Sequence, residues 1–401
     1  MRIPVVVGLP RAERSSEDGP IRVAVIIAES RATGLVRQLL ETLSKLERES
    51  CASKVALILR SEVDPTPITS ELNLMGIEYE VLLESFACDP RIVSKVSQFL
   101  RGWNPDLVQT HGYKPNTLGL LVQYWLGLPW VAFYHGRTTT DFKVRFYHCL
   151  DRSVMSRATT IVAVAHGVEG HLPKRSRQRV RVIENSVLGK SCGKRSREEN
   201  RSRLGLRSHE RAVGFIGRLS DEKGPDLFLE SFALLVRSVP DTRAVIVGDG
   251  PLRGALARTV QLLGLEHLVE FCGFVQEVGE VYSALDLVAI SSRSEVFPNV
   301  LLEAVTAGVP VVATRVGGIP YITEGLDSVT LVEPGDPRAM ALAMESALSS
   351  RSHSAIDKAR IQLRKRFSPD RRAKDFLELY RDLVHDQRRI GYARRKRVVR
   401  S

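Results

Sequence analysis

Two carboxylates eight positions apart mark the stretch of this chain that could carry chemistry. Glu295 and Glu303 flank the turn Phe297-Pro298-Asn299 and the apolar run that follows it. Because proline has a fixed φ and suits a first helical turn, we predict Glu295 on a loop and Glu303 about one and a half turns into a helix. Free amides at that helix start can bind an anion, and a carboxylate there can accept hydrogen bonds from sugar hydroxyls. Two isolated glutamates would indicate only a loop acid and a solvated helix acid.

A second run places two cations around a turn. A predicted strand ends at Gly217, and Arg218 and Lys223 follow it. Glycine lets the backbone approach a ligand closely. Arginine offers a fork for phosphate oxygens, and lysine offers a mobile point charge. The run predicts a phosphate-binding turn, and the alternative is a solvated loop with two basic residues.

Two histidines each follow a predicted strand and precede a glycine. His111 follows Leu107–Thr110, and His135 follows Trp130–Tyr134. Strand ends in doubly wound sheets are where sites form, so both histidines are candidates for ligand contact. A lone histidine is more often a satisfied core or surface group.

Strands and helices alternate in both halves of the chain. The apolar, β-branched run Ile21–Ala28 predicts a buried parallel strand, and the helical spacing of leucines in Thr33–Arg48 predicts the next helix. A second alternating series starts at Ala212–Ile216. The polar and basic stretch 188–203 between them is typical of a linker. This pattern favours an α/β chain with two doubly wound domains that face a central cleft.

Composition favours a globular protein from a reducing compartment. The chain has 401 residues, of which 43% are hydrophobic and 26% are charged. Its five cysteines are scattered without a Cys-x-x-Cys pair, which argues against a disulfide framework or a zinc site. The first 19 residues show no secretory signal pattern. Thr117–Tyr134 carries no charge, but Gly127 and Pro129 predict a helix that stops before a core strand, rather than a membrane span.

Positive charge is concentrated in two segments. The formal net charge is +12, while 174–211 alone carries +9 and 388–401 carries +7. Local basicity of this kind predicts surface patches, which fit an anionic membrane surface. A nucleic-acid-binding protein is the alternative, but the chain lacks aromatic residues interleaved with basic ones and a reading helix.

These motifs together resemble the signature of glycosyltransferase family 4. The central run reads Glu-x-Phe-Pro-Asn-x-x-x-Glu and is followed by Ala-x-x-x-Gly-x-Pro-Val-Val-Ala-Thr and Val-Gly-Gly-Ile-Pro. The earlier run from Gly217 matches the family motif Gly-Arg-Leu-x-x-x-Lys-Gly. The resemblance extends from about Ile21 to Tyr380. It implies a GT-B fold with two Rossmann-like domains and a retaining enzyme that uses a nucleotide-sugar donor.

The resemblance also implies roles for single residues. Glu303 would hold the donor ribose and Glu295 would touch the donor sugar, while Arg218 and Lys223 would bind the diphosphate. Glu295 is thus assigned to catalysis, and the histidines at the strand ends, His111 and His135, join it near the sugar or acceptor. The other donor contacts are assigned to Gly34, Gly217, Phe297, Pro298, Asn299 and Val300. No metal or cofactor is implied, and the donor would be UDP- or GDP-linked.

We therefore interpret the chain as a hexosyltransferase of class EC 2.4, with a hydroxyl acceptor that is lipid-linked or a glycan. It would act in polysaccharide, lipopolysaccharide or glycolipid synthesis, in the cytoplasm or on the inner face of the membrane. The expected regions are an extension 1–19, an acceptor-side domain 20–187, a nucleotide-sugar domain 188–366, a helix 367–387 that crosses back to the first domain, and a disordered or surface-bound tail 388–401. The alternatives are a sugar-nucleotide epimerase, a phosphorylase and a non-catalytic sugar-nucleotide binder.

Overall fold

The computed structural model describes residues 19–31, 33–48, 51–87, 89–134, 136, 142–166, 170, 172–187, 195–350 and 352–398. These residues divide into two compact units. One unit contains the described residues as far as Glu184 and again from Pro369, and the other contains those within Asn185–Ser368. Each unit is a parallel sheet with helices packed on it.

The first unit is built from seven strands and six helices in the described ranges. Its elements are β1 Ile21–Ile27, α1 Gly34–Arg48, β2 Cys51–Arg60, α2 Thr66–Leu74, β3 Glu78–Glu84, α3 Arg91–Trp103, β4 Leu107–His111, α4 Tyr113–Leu126, β5 Trp130–Tyr134, α5 Phe142–Met155, β6 Thr160–Ala163, β7 Val180–Val182 and the late helix that returns to this unit, Pro369–Val398. A 3-10 helix, Lys174–Arg179, precedes β7.

The strands of the first unit run parallel in the order β3-β2-β1-β4-β5-β6-β7. Chain order reverses between the neighbouring strands β1 and β4, and ligands of doubly wound sheets bind at such a reversal, beyond the carboxyl ends of the strands. Gly34 begins α1, which follows β1, and His111 is the last residue of β4 rather than the residue after it as predicted.

The uncharged stretch Thr117–Tyr134 forms most of helix α4 and the whole of strand β5, as predicted. Helix α4 ends at Leu126, and Gly127 follows in the left-handed conformation with φ 63°. Trp130 of β5 is fully buried. Its indole lies where a Cβ at Gly119 would be, 2.3 Å from Nε1, so only glycine lets α4 lie this close to the strand. Among the described residues, no helix combines the length and the apolar character that crossing a bilayer requires.

Over its described residues, the second unit has six strands and eight helices. Its elements are α6 Arg197–Arg203, β8 Arg211–Ile216, α7 Pro225–Ser238, β9 Thr242–Val247, α8 Arg253–Leu262, β10 Val269–Gly273, α9 Val278–Ala284, β11 Leu287–Ile290, α10 Asn299–Thr306, β12 Val311–Thr314, α11 Ile319–Thr323, β13 Val329–Val332, α12 Pro337–Ser349 and α13 His353–Arg366. The helix Pro369–Val398 of the first unit is α14. The sheet order is β10-β9-β8-β11-β12-β13, so chain order reverses between β8 and β11.

Part of the predicted linker is a helix. Residues 188–194 lie outside the described residues, but α6 occupies Arg197–Arg203. Ser196 accepts a hydrogen bond from the Glu199 backbone, and the Glu199 side chain accepts one from the Ser196 backbone, which together form a capping box. The prediction was wrong here because basic composition was weighed above this Ser-x-x-Glu signal.

The arginines of α6 are largely neutralised within the second unit. Asp286 receives Arg197 at 2.7 Å and Arg201 at 3.3 Å, and Glu280 pairs with Arg195 and Arg203. Their charges hold α6 against α9 and the start of β11 instead of forming a uniformly exposed patch.

The last helix is longer than predicted. The sequence predicted a helix within 367–387 and a disordered or surface-bound tail from Arg388, whereas α14 continues to Val398. Arg372 of α14 is buried and donates to Thr42 Oγ1 on α1 at 2.9 Å and to the Glu184 carbonyl at 2.9 Å. Burial lowers the pKa of Arg372 to about 10. These contacts fix α14 to the first unit.

Candidate functional site

The turn after β8 is held in one shape by its backbone. Gly217 continues from the strand, and Asp221–Lys223 forms a short 3-10 helix that ends at Gly224. Gly224 has φ 61°, and a Cβ there would lie 2.2 Å from the Ser291 carbonyl. Ser291 Oγ donates to the Gly224 carbonyl at 2.7 Å. The turn that carries Lys223 is therefore locked to the loop that follows β11.

Lys223 and Glu295 form an ion pair. Lys223 Nζ lies 2.6 Å from Glu295 Oε1, and Ser292 Oγ donates to the same oxygen at 2.8 Å. The Glu295 side chain is 7% exposed and that of Lys223 is 30% exposed. The two residues that the resemblance assigned to the diphosphate and to the sugar are thus brought together at the β8–β11 reversal.

Arg218 differs from Lys223 because its side chain is exposed. Within the ranges that the structure describes, its guanidinium forms no hydrogen bond or ion pair. A cation in this condition can bind an anionic ligand without first breaking a protein contact.

Glu303 lies inside α10, as predicted. Tyr282 of α9 donates its hydroxyl to Glu303 Oε2 at 2.8 Å. The helix begins at Asn299, so Pro298 is its N-cap residue, with ψ 92°, and not part of its first turn as we had predicted. The proline side chain has no polar atom that could cap this helix start. The backbone N–H groups of Asn299 and Val300 therefore lie at a helix N-terminus, which is the end of a helix that binds anions.

The remaining predicted residues of the central run contribute differently. Phe297 is buried and packs edge-to-face on Phe367, with ring centroids 5.6 Å apart, so its ring belongs to the core of the second unit. Asn299 accepts a hydrogen bond from Asn185 Nδ2 at 3.1 Å. Phe297 thus has a packing role, while Asn299 has its side-chain oxygen oriented by Asn185.

Two features hold the Glu295 loop in place. A Cβ at Gly317, which has φ 53°, would lie 1.6 Å from the Glu295 carbonyl. The Glu295 loop therefore packs directly against the backbone of Gly317. Arg293 forms a fork to both carboxylate oxygens of Asp226 at 2.8 and 2.6 Å and donates to the Asp221 carbonyl at 2.9 Å. The Arg293 guanidinium holds the pKa of Asp226 below its usual range. This clamp connects the loop after β11 with the turn and helix after β8.

The first unit places His111 in a buried cluster. The imidazole is 6% exposed and stacks on Phe133 with ring centroids 4.1 Å apart. Its Nε2 lies 2.8 Å from Gln109 Nε2. Gly34 is exposed at the start of α1. The other predicted histidine, His135, lies outside the described residues.

A carboxyl on α5 is linked to β4 and β5 of this unit by hydrogen bonds. The Trp130 indole donates to Thr110 Oγ1 at 2.7 Å, and Thr110 donates to Asn116 Oδ1 at 2.7 Å. Asn116 Nδ2 donates to Asp151 Oδ1 at 2.8 Å. Burial raises the pKa of Asp151 to about 6, although the Asn116 hydrogen bond opposes the rise.

Sequence reasoning missed the residues that orient the predicted ones. Ser292 lies three positions before Glu295 and could have been noticed as a hydroxyl beside a carboxylate. Tyr282, which donates to Glu303, and Gln109, which contacts His111, stand in apolar or strand-forming runs where nothing local distinguishes them from core residues. Their roles depend on which helix lies beside which strand.

Two family descriptions match this chain in succession. The description "Glycosyl transferase 4-like domain" matches residues 33–186, and "Glycosyl transferases group 1" matches residues 196–387. The chain belongs to the family 4 glycosyltransferases. Its two parallel α/β units are those of the GT-B fold, as the resemblance implied.

Two curated relatives align with this chain over long stretches. The D-inositol 3-phosphate glycosyltransferase of Segniliparus rotundus is 29% identical over 298 residues, which are 70% of this chain and 66% of the relative. The alignment thus spans just under two thirds of that relative's length. The N-acetyl-alpha-D-glucosaminyl L-malate synthase of Bacillus anthracis is 26% identical over 311 residues, 75% of this chain and 81% of the relative.

A solved structure shares the fold. The Anabaena protein HepE, whose crystal structure is in complex with UDP and glucose, superposes with a TM-score of 0.77 at 21% identity, and the match covers 90% of this chain and 100% of HepE. At this identity the likeness establishes the fold.

Proposed function

We propose that the protein transfers a sugar from a nucleotide-diphosphate sugar to a hydroxyl acceptor with retention of configuration at the sugar. The observation that carries this proposal is the set of charges at the β8–β11 reversal. Arg218 is exposed, Lys223 is paired with the mostly buried Glu295, and the uncapped start of α10 follows the same loop. This arrangement suits a ligand that carries both phosphate and hydroxyl groups.

The proposed chemistry is electrostatic. As the bond between the sugar and the diphosphate breaks, negative charge grows on the departing diphosphate, and Arg218 and Lys223 stabilise it. A diphosphate would compete with Glu295 for Lys223, and Glu295 would then be released toward the sugar hydroxyls. Glu303 holds the ribose. In this proposal the protein's own cations supply the positive charge, and no resident cofactor is required.

A UDP-linked donor is the first choice because HepE, which shares the fold, was solved with UDP and glucose. The test is a thermal-shift panel with UDP-glucose, UDP-N-acetylglucosamine, GDP-mannose and ADP-glucose, since a bound donor stabilises the folded state by mass action. Donors that stabilise the protein are then followed for release of the nucleoside diphosphate in the presence of hydroxyl acceptors. Binding without release under any acceptor would favour a non-catalytic sugar-nucleotide binder.

A matched pair of variants tests the site. Arg218→Ala should weaken donor binding by about 1.5–3 kcal/mol, because it removes charge-assisted contacts. Arg258→Ala removes the same charge from the exposed face of α8 and should bind donor as the wild type does. Equal donor affinity in both variants would contradict the assignment of Arg218 to the diphosphate.

We also propose that an anionic membrane surface is a partner, through the 3-10 helix Lys174–Arg179 and the neighbouring Arg181. Four cations of this segment and Arg181 are exposed. Arg177 and Arg179 donate to carbonyl groups, which leaves their charge uncompensated. The arginines of α6, by contrast, have carboxylate partners. Each cation near anionic lipid contributes on the order of 1 kcal/mol.

Vesicle sedimentation tests this surface. The triple variant Lys174→Ala, Arg175→Ala, Arg181→Ala should lose binding to phosphatidylserine vesicles at low salt. The triple variant Arg258→Ala, Arg364→Ala, Lys365→Ala removes the same charge from exposed positions of the second unit and should retain binding. Binding that is independent of salt and of lipid charge would contradict the proposal, as would equal losses in both variants.

A further inference from the structure

Three side chains of the first unit form a buried hydrogen-bonded chain that ends at His111. Tyr380 of α14 donates its hydroxyl to Gln109 Oε1, and Gln109 Nε2 faces His111 Nε2 at 2.8 Å. Tyr380 is fully buried, Gln109 is 1% exposed and His111 is 6% exposed. Water therefore has little access to any of these three groups.

The direction of the hydrogen bonds follows from the hydroxyl. Within the described residues, Gln109 is the only hydrogen-bond partner of the Tyr380 hydroxyl. A buried hydroxyl proton without an acceptor is costly, so the phenol donates and the amide oxygen accepts. The amide NH₂ group of Gln109 is then the end that faces the imidazole. Since NH₂ can only donate, His111 Nε2 must present a lone pair.

Aromatic packing keeps the ring in this orientation. His111 stacks on Phe133 with an interplanar angle of 29°, and Phe133 stacks on Phe376 of α14 with centroids 5.6 Å apart. Phe376 also contacts the Tyr380 ring at 5.8 Å. Helix α14, which supplies the Tyr380 hydroxyl, thus also supplies Phe376, the ring that packs on Phe133.

We propose that Gln109 and Tyr380 are positioning residues that hold His111 as the neutral tautomer protonated at Nδ1. The lone pair at Nε2 is occupied by Gln109, and Nδ1 already carries the proton. His111 therefore cannot take a proton from an acceptor hydroxyl, and the single proton on its ring stands at Nδ1. This inference rests on the proposed function, because it defines how a residue at the end of β4 serves sugar transfer.

The tautomer is measured directly by nitrogen NMR of protein labelled with ¹⁵N-histidine, at pH 8, where an unperturbed histidine with a pKa of about 6.5 is neutral. His111→Asn identifies the signal of His111 among the nine histidines. We expect a pyridine-type shift at Nε2 and a pyrrole-type shift at Nδ1. Gln109→Glu replaces the facing NH₂ with a second acceptor oxygen, so the proton should move to Nε2.

The same variants test the consequence for turnover. Gln109→Glu and Tyr380→Phe should each lower kcat at least tenfold with UDP-glucose, if that donor is used, and leave the KM for donor within twofold. Tyr124→Phe and Gln261→Glu make the same chemical changes at exposed positions of α4 and α8 and should behave as the wild type does. Circular dichroism confirms that each variant is folded.

Each outcome decides a different part of the proposal. A wild-type His111 protonated at Nε2 overturns the hydrogen-bond direction, and this measurement needs no variant to fold. The predicted tautomer with an unchanged kcat in folded Gln109→Glu overturns the role in transfer. A wild type that turns over no nucleotide-sugar contradicts the proposed function instead, and the NMR shifts still decide whether the chain Tyr380–Gln109–His111 sets the tautomer.

Discussion

At the scale of single residues, the two candidate phosphate-binding cations of the second unit differ in whether they already have a carboxylate partner. Lys223 is occupied by Glu295 at 2.6 Å, whereas Arg218 is exposed. A buried carboxylate is tolerated because its charge is paired and hydrogen-bonded. Lys223 therefore stabilises the folded chain before any ligand arrives, and its loss should affect stability as well as binding. The same is not expected of Arg218.

Lys223→Ala should lower the free energy of unfolding by about 1–3 kcal/mol, because it leaves Glu295 without its cation in a poorly hydrated position. The double variant Lys223→Ala, Glu295→Gln should recover most of that loss, since no buried charge remains. Urea unfolding of both variants, followed by far-UV circular dichroism, measures the difference. Identical stabilities of the single and double variants would show that the pair is screened by solvent.

Glu295 and Glu303 should separate in donor kinetics. Glu303 lies in a helix and already has a fixed partner in Tyr282, so its contact with ribose should be the same in the ground state and in the transition state. Glu303→Gln should therefore raise the KM for donor with little change in kcat. Glu295 lies beside the reacting sugar in our proposal, and Glu295→Gln should lower kcat. The opposite pattern would exchange the two roles, and two variants like the wild type would remove the stretch from the site.

The residues that could be predicted from the sequence are those whose motif is local. Gly217, Arg218 and Lys223 stand within one turn, and Glu295 and Glu303 within one loop and helix. Their partners are distant in the chain, since Lys223 and Glu295 are 72 positions apart and Gln109 and Tyr380 are 271 apart. Pairing at such separations depends on the sheet order, which no local pattern specifies.

At the scale of elements, the site depends on loops that pack backbone against backbone. Gly317→Ala should displace the Glu295 loop, because a Cβ there would lie 1.6 Å from the Glu295 carbonyl. We expect a loss of turnover of at least tenfold. Gly335→Ala provides the control, since Gly335 has φ 83° with nothing within 4 Å of its Cβ position. It carries the same left-handed strain, about 1–2 kcal/mol, without the collision.

Turnover and the midpoint of thermal unfolding, measured for both glycine variants, separate the two effects. Both should lose stability, and only Gly317→Ala should lose activity beyond what its unfolded fraction explains. Similar activity in the two variants would mean that the loop can move without harm to catalysis.

Helices with strong local signals were predicted well. Helices α7 and α12 carry such signals, since a proline at the first helical position and a clear apolar stripe mark both. Helices α6 and α13 were not predicted. α13 is strongly polar, and tertiary contacts at buried Ile356, Ala359 and Leu363 hold it in place. The arginines of α6 are typical of a solvated linker in the sequence, because their partners Asp286 and Glu280 are distant in the chain.

At the scale of the whole molecule, the chain builds the same plan twice. Each unit reverses its strand order once, between β1 and β4 and between β8 and β11, and each places its candidate residues after those strands. The two units nevertheless differ in what they bury. All three tryptophans, Trp103, Trp125 and Trp130, belong to the first unit, so tryptophan fluorescence reports the unfolding of that unit.

Tryptophan fluorescence can therefore measure how the free energy of unfolding of the first unit depends on pH, and we expect Asp151 to contribute to that dependence. Its folded pKa is about 6, above its ordinary value of 3.8, so the folded state binds the proton more tightly than the unfolded state does. The wild type should therefore lose stability as pH rises from about 4 to about 6, and the penalty should be complete above that range. The shift corresponds to at most about 3 kcal/mol, and partial exposure reduces the expected penalty to about 1–2 kcal/mol.

Asp151→Asn keeps an oxygen that can accept from Asn116 and removes the charge. By tryptophan fluorescence in urea, this variant should exceed the wild type in stability by about 1–2 kcal/mol at pH 8, and the two should converge below about pH 3, where Asp151 is protonated in both the folded and the unfolded state. Asp382→Asn, at an exposed position of α14 in the same unit, removes an equal charge and should follow the wild type throughout. Parallel curves for Asp151→Asn and the wild type between pH 4 and pH 8 would contradict the assignment, because a carboxyl whose pKa is the same in both states contributes no pH dependence to folding.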